Sequence, residues 1–374
     1  MKIYLVGGAV RDQLIGRKVR ERDWLVVNAS VDEMLKLGFT RKDDNFPVFN
    51  HPQTGEEYAL ARREIKQGVG YKGFIIDASK DITLEEDLLR RDLTINAMAM
   101  DEQGNLIDPY GGHEDLKTRI LRHVTDAFVE DPFRILRVAR FAAQLGRYDF
   151  HVAHETFRLM KCMVKTEELQ AISQERFQSE MNKALSSETP QAFFKLLGKC
   201  GALNILLPDS QGFINGEQMQ HGKDSDCLQK LIAVTKLTEN TDLRFVAVFG
   251  YVLLKDDYDV TAFLRLNKRR ADLLGILAAS TNDLLKANCA ADLYQAMQQA
   301  GALKTTTIWS DVLLLLKVFY PPQQQRLINL QNLASQMSAL SSRSLIENGL
   351  EGAALGEALK RQRLELVETM ITQL

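Results

Sequence analysis

Residues 1–12 read MKIYLVGGAVRD, and this stretch decides the fold of the amino-terminal region. Residues 3–6 form a short apolar run typical of a strand, and Gly7 and Gly8 predict a tight turn into a helix. Glycines let a backbone approach a phosphate, and a helix N-terminus offers free N–H groups to an anion. Arg11 adds a positive charge one turn further on. This turn alone is weak evidence for a phosphate site, because many α/β proteins have a glycine-rich first turn.

Two carboxylates, Glu21 and Asp23, lead into the next apolar run, WLVV (residues 24–27). On an extended backbone, residues i and i+2 point the same way, so the carboxylates converge as a hard Mg²⁺ ion requires. Two metal ions can activate an attacking hydroxyl and neutralise a leaving phosphate. Spacing alone favours a solvated charged turn, but the position after the Gly-Gly turn favours a metal site.

Two further segments carry clustered arginines. In RRDLTINAMA (residues 90–99), adjacent arginines precede a predicted helix of small residues and suit triphosphate or ribose contacts, although a surface pair is equally compatible. In EDPFRILRVARF (residues 130–141), Pro132 fits the first turn of a helix, and arginines recur at 134, 137 and 140. Residues 117–147 hold seven Lys or Arg and three Asp or Glu. This local excess predicts a basic helical face.

Composition limits the class of protein. The chain has 374 residues and 45% hydrophobic content, which predicts two to four compact structural units. Its formal net charge is -2. An RNA-binding chain with this charge must concentrate its cations on one face. The first apolar run is too short for a signal peptide or membrane span, so we expect no membrane partner. The cysteines predict reduced, mostly buried thiols: Cys162, Cys200, Cys227 and Cys289.

In this order and at these separations, the four segments resemble the bacterial class II tRNA nucleotidyltransferases, the CCA-adding enzymes and poly(A) polymerases of the polymerase beta superfamily. The resemblance covers residues 1–180 approximately, and ISQER (residues 172–176) is similar to the family's last motif. Residues 1–12 and 46–62 look most like gammaproteobacterial CCA-adding enzymes. The resemblance implies an α+β fold, with a small mixed sheet and helices followed by all-helical parts. The implied parts are a catalytic head (1–120), a base-reading neck (121–185), a body (186–280) and a tRNA-binding tail (281–374).

The resemblance also implies roles for individual residues. The implied catalytic residues and Mg²⁺ ligands are Glu21 and Asp23, and Glu57 is a candidate for a third carboxylate. Asp131 and Arg134 match the pair that reads the base. The remaining implied contacts to the phosphates, ribose and nucleotide are Gly8, Arg11, Arg91, Arg137 and Arg140.

The implied activity is addition and repair of the 3'-terminal CCA of tRNA from CTP and ATP without a template, in a cytoplasmic monomer. Cytosine and adenine both present an amino donor beside a ring-nitrogen acceptor, and a carboxylate beside a guanidinium complements that order. Uracil and guanine present the opposite order and would leave buried charges unpaired. The alternatives are a poly(A) polymerase, an enzyme adding only CC or A, and a non-catalytic tRNA-binding protein.

The sequence departs from the family at two places. The first metal position carries Glu21 where Asp is usual, which moves the carboxylate by roughly an ångström at a site where Mg²⁺ geometry is strict. Relatives carry a His-Asp metal site in the helical body, where this chain has Gly250-Tyr251. We therefore expect no phosphatase or phosphodiesterase activity. The histidines show no metal spacing in that region: His51, His113, His123, His151, His154 and His221.

Overall fold

The computed structural model describes residues 1–42, 46–68, 73–208, 226–256, 264–304 and 307–371. The chain divides into two compact units, Met1–Asn215 and Gly216–Leu374. The first unit holds a mixed sheet with helices, and the described part of the second is helical. The expected α+β fold is therefore confirmed, while the finer division into neck, body and tail stays a prediction.

A seven-stranded mixed sheet lies at the centre of the first unit. The strands of this unit are β1 Lys2–Val6, β2 Asp23–Val27, β3 Thr40–Arg41, β4 Val48–Asn50, β5 Glu57–Leu60, β6 Arg63–Lys66, β7 Phe74–Asp77, β8 Ala99–Met100, β9 Leu106–Ile107, β10 Ile120–Leu121 and β11 His151–Val152. The large sheet has the order β3-β4-β5-β2-β1-β8-β9, and β6 pairs with β7 in a separate hairpin. Within the large sheet β2 and β5 run parallel, and the other neighbouring pairs run antiparallel.

The strand register brings the sequence motifs to one edge of the sheet. Val6, the last residue of β1, lies opposite Asp23, the first residue of β2. Asp23 in turn lies opposite Glu57, the first residue of β5. The turn that follows β1 therefore lies beside both carboxylates, which sequence spacing alone did not show for Glu57.

Consecutive residues of β2 point to opposite faces of the sheet and pack into two separate cores. Leu25 packs in a cluster with Val6 and Leu88, whereas Val26 packs in a cluster with Met34 and Phe49. Full burial of one such side chain stabilises the fold by about 1.5–3 kcal/mol. Because a one-residue slip would exchange the two faces, this packing fixes the position of Asp23 at the strand end.

The helices of the first unit are α1 Gly8–Leu14, α2 Val31–Lys36, α3 Leu84–Leu89, α4 Gly112–Lys117, α5 Phe133–Leu145, α6 His154–Met163, α7 Gln174–Leu185, α8 Gln191–Cys200 and α9 Leu203–Leu206. Pro190 is the N-cap residue of α8, a place where proline does not disrupt the helix. The expectation of an all-helical segment over 121–185 is wrong at β11, which pairs in parallel with β10. A strand of two residues is too short to show an alternating pattern in the sequence.

The described helices of the second unit are α10 Asp226–Thr235, α11 Thr241–Asp256, α12 Lys268–Lys286, α13 Ala290–Gln299, α14 Ile308–Phe319, α15 Gln324–Ala339, α16 Arg343–Glu347 and α17 Gly352–Ile371. Gly250 and Tyr251 lie in α11. A Cβ on Gly250 would lie 2.8 Å from Val246 Cγ1, and the buried Tyr251 hydroxyl lies 3.5 Å from Asp226 Oδ2. His221 lies outside the described residues.

Two findings concern surface and solvent. Among the helices that the structure describes, we find none with the length and apolar character needed to cross a bilayer. All four cysteines are free thiols, but only Cys200 and Cys227 are buried, whereas Cys162 and Cys289 are exposed. The expectation that most of the cysteines are buried is therefore wrong, since only two of the four are buried.

Candidate active site

A cleft of about 860 Å³ in the first unit gathers the residues singled out in the sequence. Its lining includes the whole predicted set: Gly8, Arg11, Glu21, Asp23, Glu57, Arg91, Asp131, Arg134, Arg137 and Arg140. The sheet edge forms one wall and α5 forms another. The roles assigned to these residues remain predictions, but their proximity is a property of the fold.

The Gly-Gly turn packs against an arginine. Gly7 has φ +70°, and a Cβ there would lie 2.7 Å from Arg91 Nη1. The positive φ favours glycine at this position, and a Cβ would in addition displace the Arg91 guanidinium. At Gly8 a Cβ would lie 3.4 Å from Arg11 Nη2, a tight contact that a small shift can relieve. The stricter requirement falls on Gly7, which was not among the predicted site residues.

Three carboxylates stand at the sheet wall. Asp23 begins β2 opposite Glu57, whereas Glu21 precedes the strand, and both Asp23 and Glu21 are exposed at this edge. Loss of solvent raises the pKa of Asp23, the charge of Glu57 raises it further, and Arg91 opposes both. Glu21 adds a smaller effect in the same direction. The argument from an extended backbone therefore does not apply to Glu21, and the nearer electrostatic partner of Asp23 is Glu57.

The donor set at this wall fits a hard divalent cation. Within the described ranges, neither Glu21 nor Asp23 forms an ion pair. Loss of solvent and then the charge of Glu57 raise the pKa of Asp23, and a bound cation would offset both effects. Oxygen donors are the ligands that Mg²⁺ prefers. No group of three or more His, Cys, Asp or Glu is arranged to hold a metal in the part of the chain that the structure describes. Glu57 is instead paired with Lys42.

Arg91 lies behind the Gly-Gly turn. Its guanidinium donates to the Asn96 carbonyl at 3.3 Å and to the buried Asp87 carboxylate at 3.2 Å. The helix expected after the arginine pair is wrong, because the chain forms a single 3₁₀ turn, Thr94–Asn96. The side chain of Asn96 bonds two other residues of the cleft. Its Nδ2 donates to Asp92, and its Oδ1 accepts from Arg11.

The arginines of α5 are held by acids from elsewhere in the chain. Arg137 donates to Asp92 at 2.6 Å, and Arg140 pairs with the buried Glu180. Burial alone would raise the pKa of Asp92, but Arg137 and the bond from Asn96 hold it well below its usual range. The expected basic face is therefore a cleft wall with much of its charge neutralised. The window of residues 117–147 missed this because both acids lie outside it.

Asp131 and Arg134 lie at the start of α5 and bond mainly to backbone. Asp131 Oδ1 accepts from the Phe133 N–H at 3.0 Å. The buried Arg134 donates through Nη1 to the Ala127 carbonyl at 2.9 Å and through Nη2 to the Arg90 carbonyl at 2.7 Å. Sequence reasoning treated both as paired only by a base, whereas the fold already holds each of them.

Phe141 is a shared support for three arginines of the cleft. Its ring centre lies 4.0 Å from the Arg140 guanidinium, 5.2 Å from that of Arg11 and 5.7 Å from that of Arg137. Such contacts are favourable because the ring face is electronegative. Glu180 was not among the predicted site residues, and no local motif in the sequence marks it.

Comparison with known proteins agrees with this geometry. Residues 3–122 match the family described as "Poly A polymerase head domain", and residues 149–213 match "Probable RNA and SrmB- binding site of polymerase A". The fold and the cleft thus define a nucleotidyltransferase of the poly(A) polymerase and CCA-adding class. The curated CCA-adding enzyme of Pseudomonas putida is 41% identical, with 98% of each chain covered. The chain belongs to the CCA-adding enzyme family.

Solved structures show the same fold. The Bacillus stearothermophilus CCA-adding enzyme in complex with CTP is 25% identical with a TM-score of 0.61, covering 98% of this chain and 89% of that one. A tRNA nucleotidyltransferase complexed with a primer tRNA and an incoming ATP analog is 26% identical with a TM-score of 0.65, covering 90% and 96%.

Proposed function

We propose that this chain adds and repairs the 3'-terminal CCA of tRNA, using CTP and ATP and releasing diphosphate. The observation that carries the proposal is the single cleft in which the carboxylates Glu21 and Asp23 face the arginines of α5. Family membership supports the same activity. We infer that the tRNA 3'-hydroxyl attacks the α-phosphate in line, with tRNA as partner.

The carboxylates are proposed to hold a divalent cation, Mg²⁺. When bound, the cation supplies charge neutralisation of the phosphates and lowers the pKa of the attacking hydroxyl. Asp23, the first residue of β2, and Glu21, in the segment before it, would hold this cation. Gly8, Arg11 and Arg91 lie beside them and suit the triphosphate and ribose.

Base choice is proposed to rest on Asp131 and Arg134. A guanidinium has five N–H donors, so its two bonds to backbone carbonyls fix its orientation and leave donors for the ring nitrogen of cytosine or adenine. Asp131 uses Oδ1 to cap Phe133, which leaves Oδ2 for the amino group. Because the pair is preorganised, UTP and GTP meet donors and acceptors in the wrong order.

One incubation separates this function from its alternatives. Purified protein receives tRNA lacking CCA, with CTP and ATP, and the product is sequenced. Addition of three nucleotides supports the proposal, a long A tail supports a poly(A) polymerase, and a product ending in CC or gaining only A supports a partial enzyme. Binding without extension supports a non-catalytic protein. Monomeric state and cytoplasmic location also remain proposals.

The second unit is proposed to have no phosphohydrolase activity, since Gly250 and Tyr251 stand at the expected metal position. We predict no hydrolysis of p-nitrophenyl phosphate or 2',3'-cyclic AMP by pure protein with Mg²⁺ or Ni²⁺. Metal-dependent turnover that copurifies with the chain would overturn this prediction.

A further inference from the structure

Lys42 is a fixed cation inside the acidic cluster. It directly follows β3, and its N–H donates to the Val48 carbonyl at 2.9 Å, which ties its backbone to the sheet. Its ammonium pairs with Glu57 Oε2. The bond to Glu57 raises the pKa of Lys42, and the charges of Asp23 and Glu21 raise it further. The lysine therefore senses all three carboxylates while bonding one of them.

Glu57 and Asp23 are register partners on parallel strands, so their side chains leave the same edge of the sheet. A third carboxylate in this place is suited to complete a cation site. The described part of the chain nevertheless holds no three-ligand group. Lys42 already occupies one oxygen of Glu57, and its ammonium is a compact point charge that competes with a metal ion for this carboxylate.

We propose that Lys42 is a positioning residue, a tethered counter-ion that withholds Glu57 from cation coordination and so weakens the binding of divalent metal in the cleft. The inference rests on the proposed function, because it concerns the same cation site. Removing the ammonium leaves Glu57 facing Asp23 without compensation, and a divalent ion then gains a third oxygen ligand. Lys42 thus adjusts how much metal the enzyme needs before catalysis begins.

The substitution Lys42→Gln isolates this effect. The side chains of Lys42 and Glu57 are 54% and 39% exposed, and exposed ion pairs contribute little to folding. A matched control is Lys80→Gln, because Lys80 pairs with Glu33 at similar exposures of 49% and 47%. Both substitutions remove one positive charge from an exposed Lys–Glu pair, but only the first pair includes a carboxylate that lines the cleft, Glu57.

The measurement is direct Mn²⁺ binding to the full chain without nucleotide, followed by electron paramagnetic resonance of free Mn²⁺. We expect Lys42→Gln to bind about three- to tenfold more tightly than the wild type, as expected when one charge is removed at short range. The gain should shrink as salt increases. Lys80→Gln should bind as the wild type does, and Lys42→Arg should stay close to it.

Two further variants decide the interpretation. In a Glu57→Gln background, Lys42→Gln should give no gain, and a gain that persists there would overturn the role assigned to Glu57. Asp23→Asn should lose Mn²⁺ binding, and retained binding would refute the cation site of the proposed function. If Asp23→Asn loses binding while Lys42→Gln binds like the wild type, the inference on Lys42 alone fails.

Discussion

The two walls of the cleft are held in opposite ways. On the sheet wall, Glu21 and Asp23 form no ion pair among the described residues, and the pKa of Asp23 is raised. On the helix wall, Arg137 and Arg140 are bound to the carboxylates of Asp92 and Glu180. The sheet wall is compensated only in part, by Lys42 on Glu57 and by the charge of Arg91, whereas the helix wall is largely neutralised before any nucleotide arrives.

This difference indicates separate tasks. A wall whose charges are fixed by partners can present donors at set positions, which favours discrimination between bases. A wall whose carboxylates are compensated only in part retains negative charge that a cation can neutralise. Substitutions on the sheet wall should therefore affect turnover with every nucleotide. Substitutions of Asp131 or Arg134, at the start of α5, should affect the choice among nucleotides.

The largest effect is expected for Asp23→Ala. Loss of the carboxylate that begins β2 removes the strand-anchored ligand, so addition of both C and A should fall by about three orders of magnitude or more. The affinity for tRNA should persist, because most tRNA contacts are predicted in residues 281–374. Single-turnover extension and filter binding measure the two quantities. Glu21→Asp should keep or raise activity with Mg²⁺, and near-normal turnover of Asp23→Ala would show that the metal assignment is wrong.

A smaller and more selective effect is expected for Arg134→Ala. Loss of one charge-assisted contact of about 1.5–3 kcal/mol slows CTP and ATP by about ten- to a hundredfold. UTP and GTP should lose less, so their relative use should rise. The test is single-nucleotide incorporation on tRNA ending just before CCA, with each triphosphate supplied alone.

The matched control for that test is Arg137→Ala, on the same helix. Its guanidinium is held by Asp92, so its loss should slow all four nucleotides to a similar extent. If Arg134→Ala slows CTP and ATP while the relative use of UTP and GTP stays unchanged, Arg134 does not read the base.

A more modest effect is expected for Glu180→Gln. The neutral amide still accepts a bond from Arg140 but no longer compensates its charge, and Glu180 also bonds Lys183. The KM for CTP and ATP should change together by roughly fivefold, as for a contact worth about 1 kcal/mol. The ratio of the two nucleotides should stay constant. A change in that ratio would mean that Arg140 contributes to base choice.

The smallest effect is expected in thermal stability. The pKa of Asp23 is raised in the folded state, so the ionised carboxylate is less favourable there than in the unfolded chain. The protein is therefore most stable, with respect to this group, below the unfolded pKa, and it loses that stability as pH rises through the folded pKa. At neutral pH, Asp23→Asn should therefore raise the Tm of cation-free protein by about 1–2 °C. Below the ordinary pKa of aspartate the two proteins should melt together. A lower Tm for the variant at neutral pH would contradict the raised pKa.

The strands and the cleft lining were predictable because their signals are local. The run at residues 24–27 and the Gly-Gly turn each specify their own conformation. The site residues were predicted from the order and spacing of the four motifs. Glu180 and Lys42 were not predictable, since their partners Arg140 and Glu57 are distant in sequence and only the fold brings them together. Charge counted over a window likewise cannot reveal a neutralising acid outside it.

The small sheet formed by β10 and β11 has a consequence for how the protein opens. Ile120–Leu121 and His151–Val152 flank α5 on either side in the chain, so their pairing closes a loop around this helix. Fraying of α5 toward solvent must first break that closure or the contacts of Phe141 inside it. The helix wall thus belongs to a cooperative unit that includes β10 and β11. The amide protons of α5 should exchange with solvent only when that unit opens as a whole.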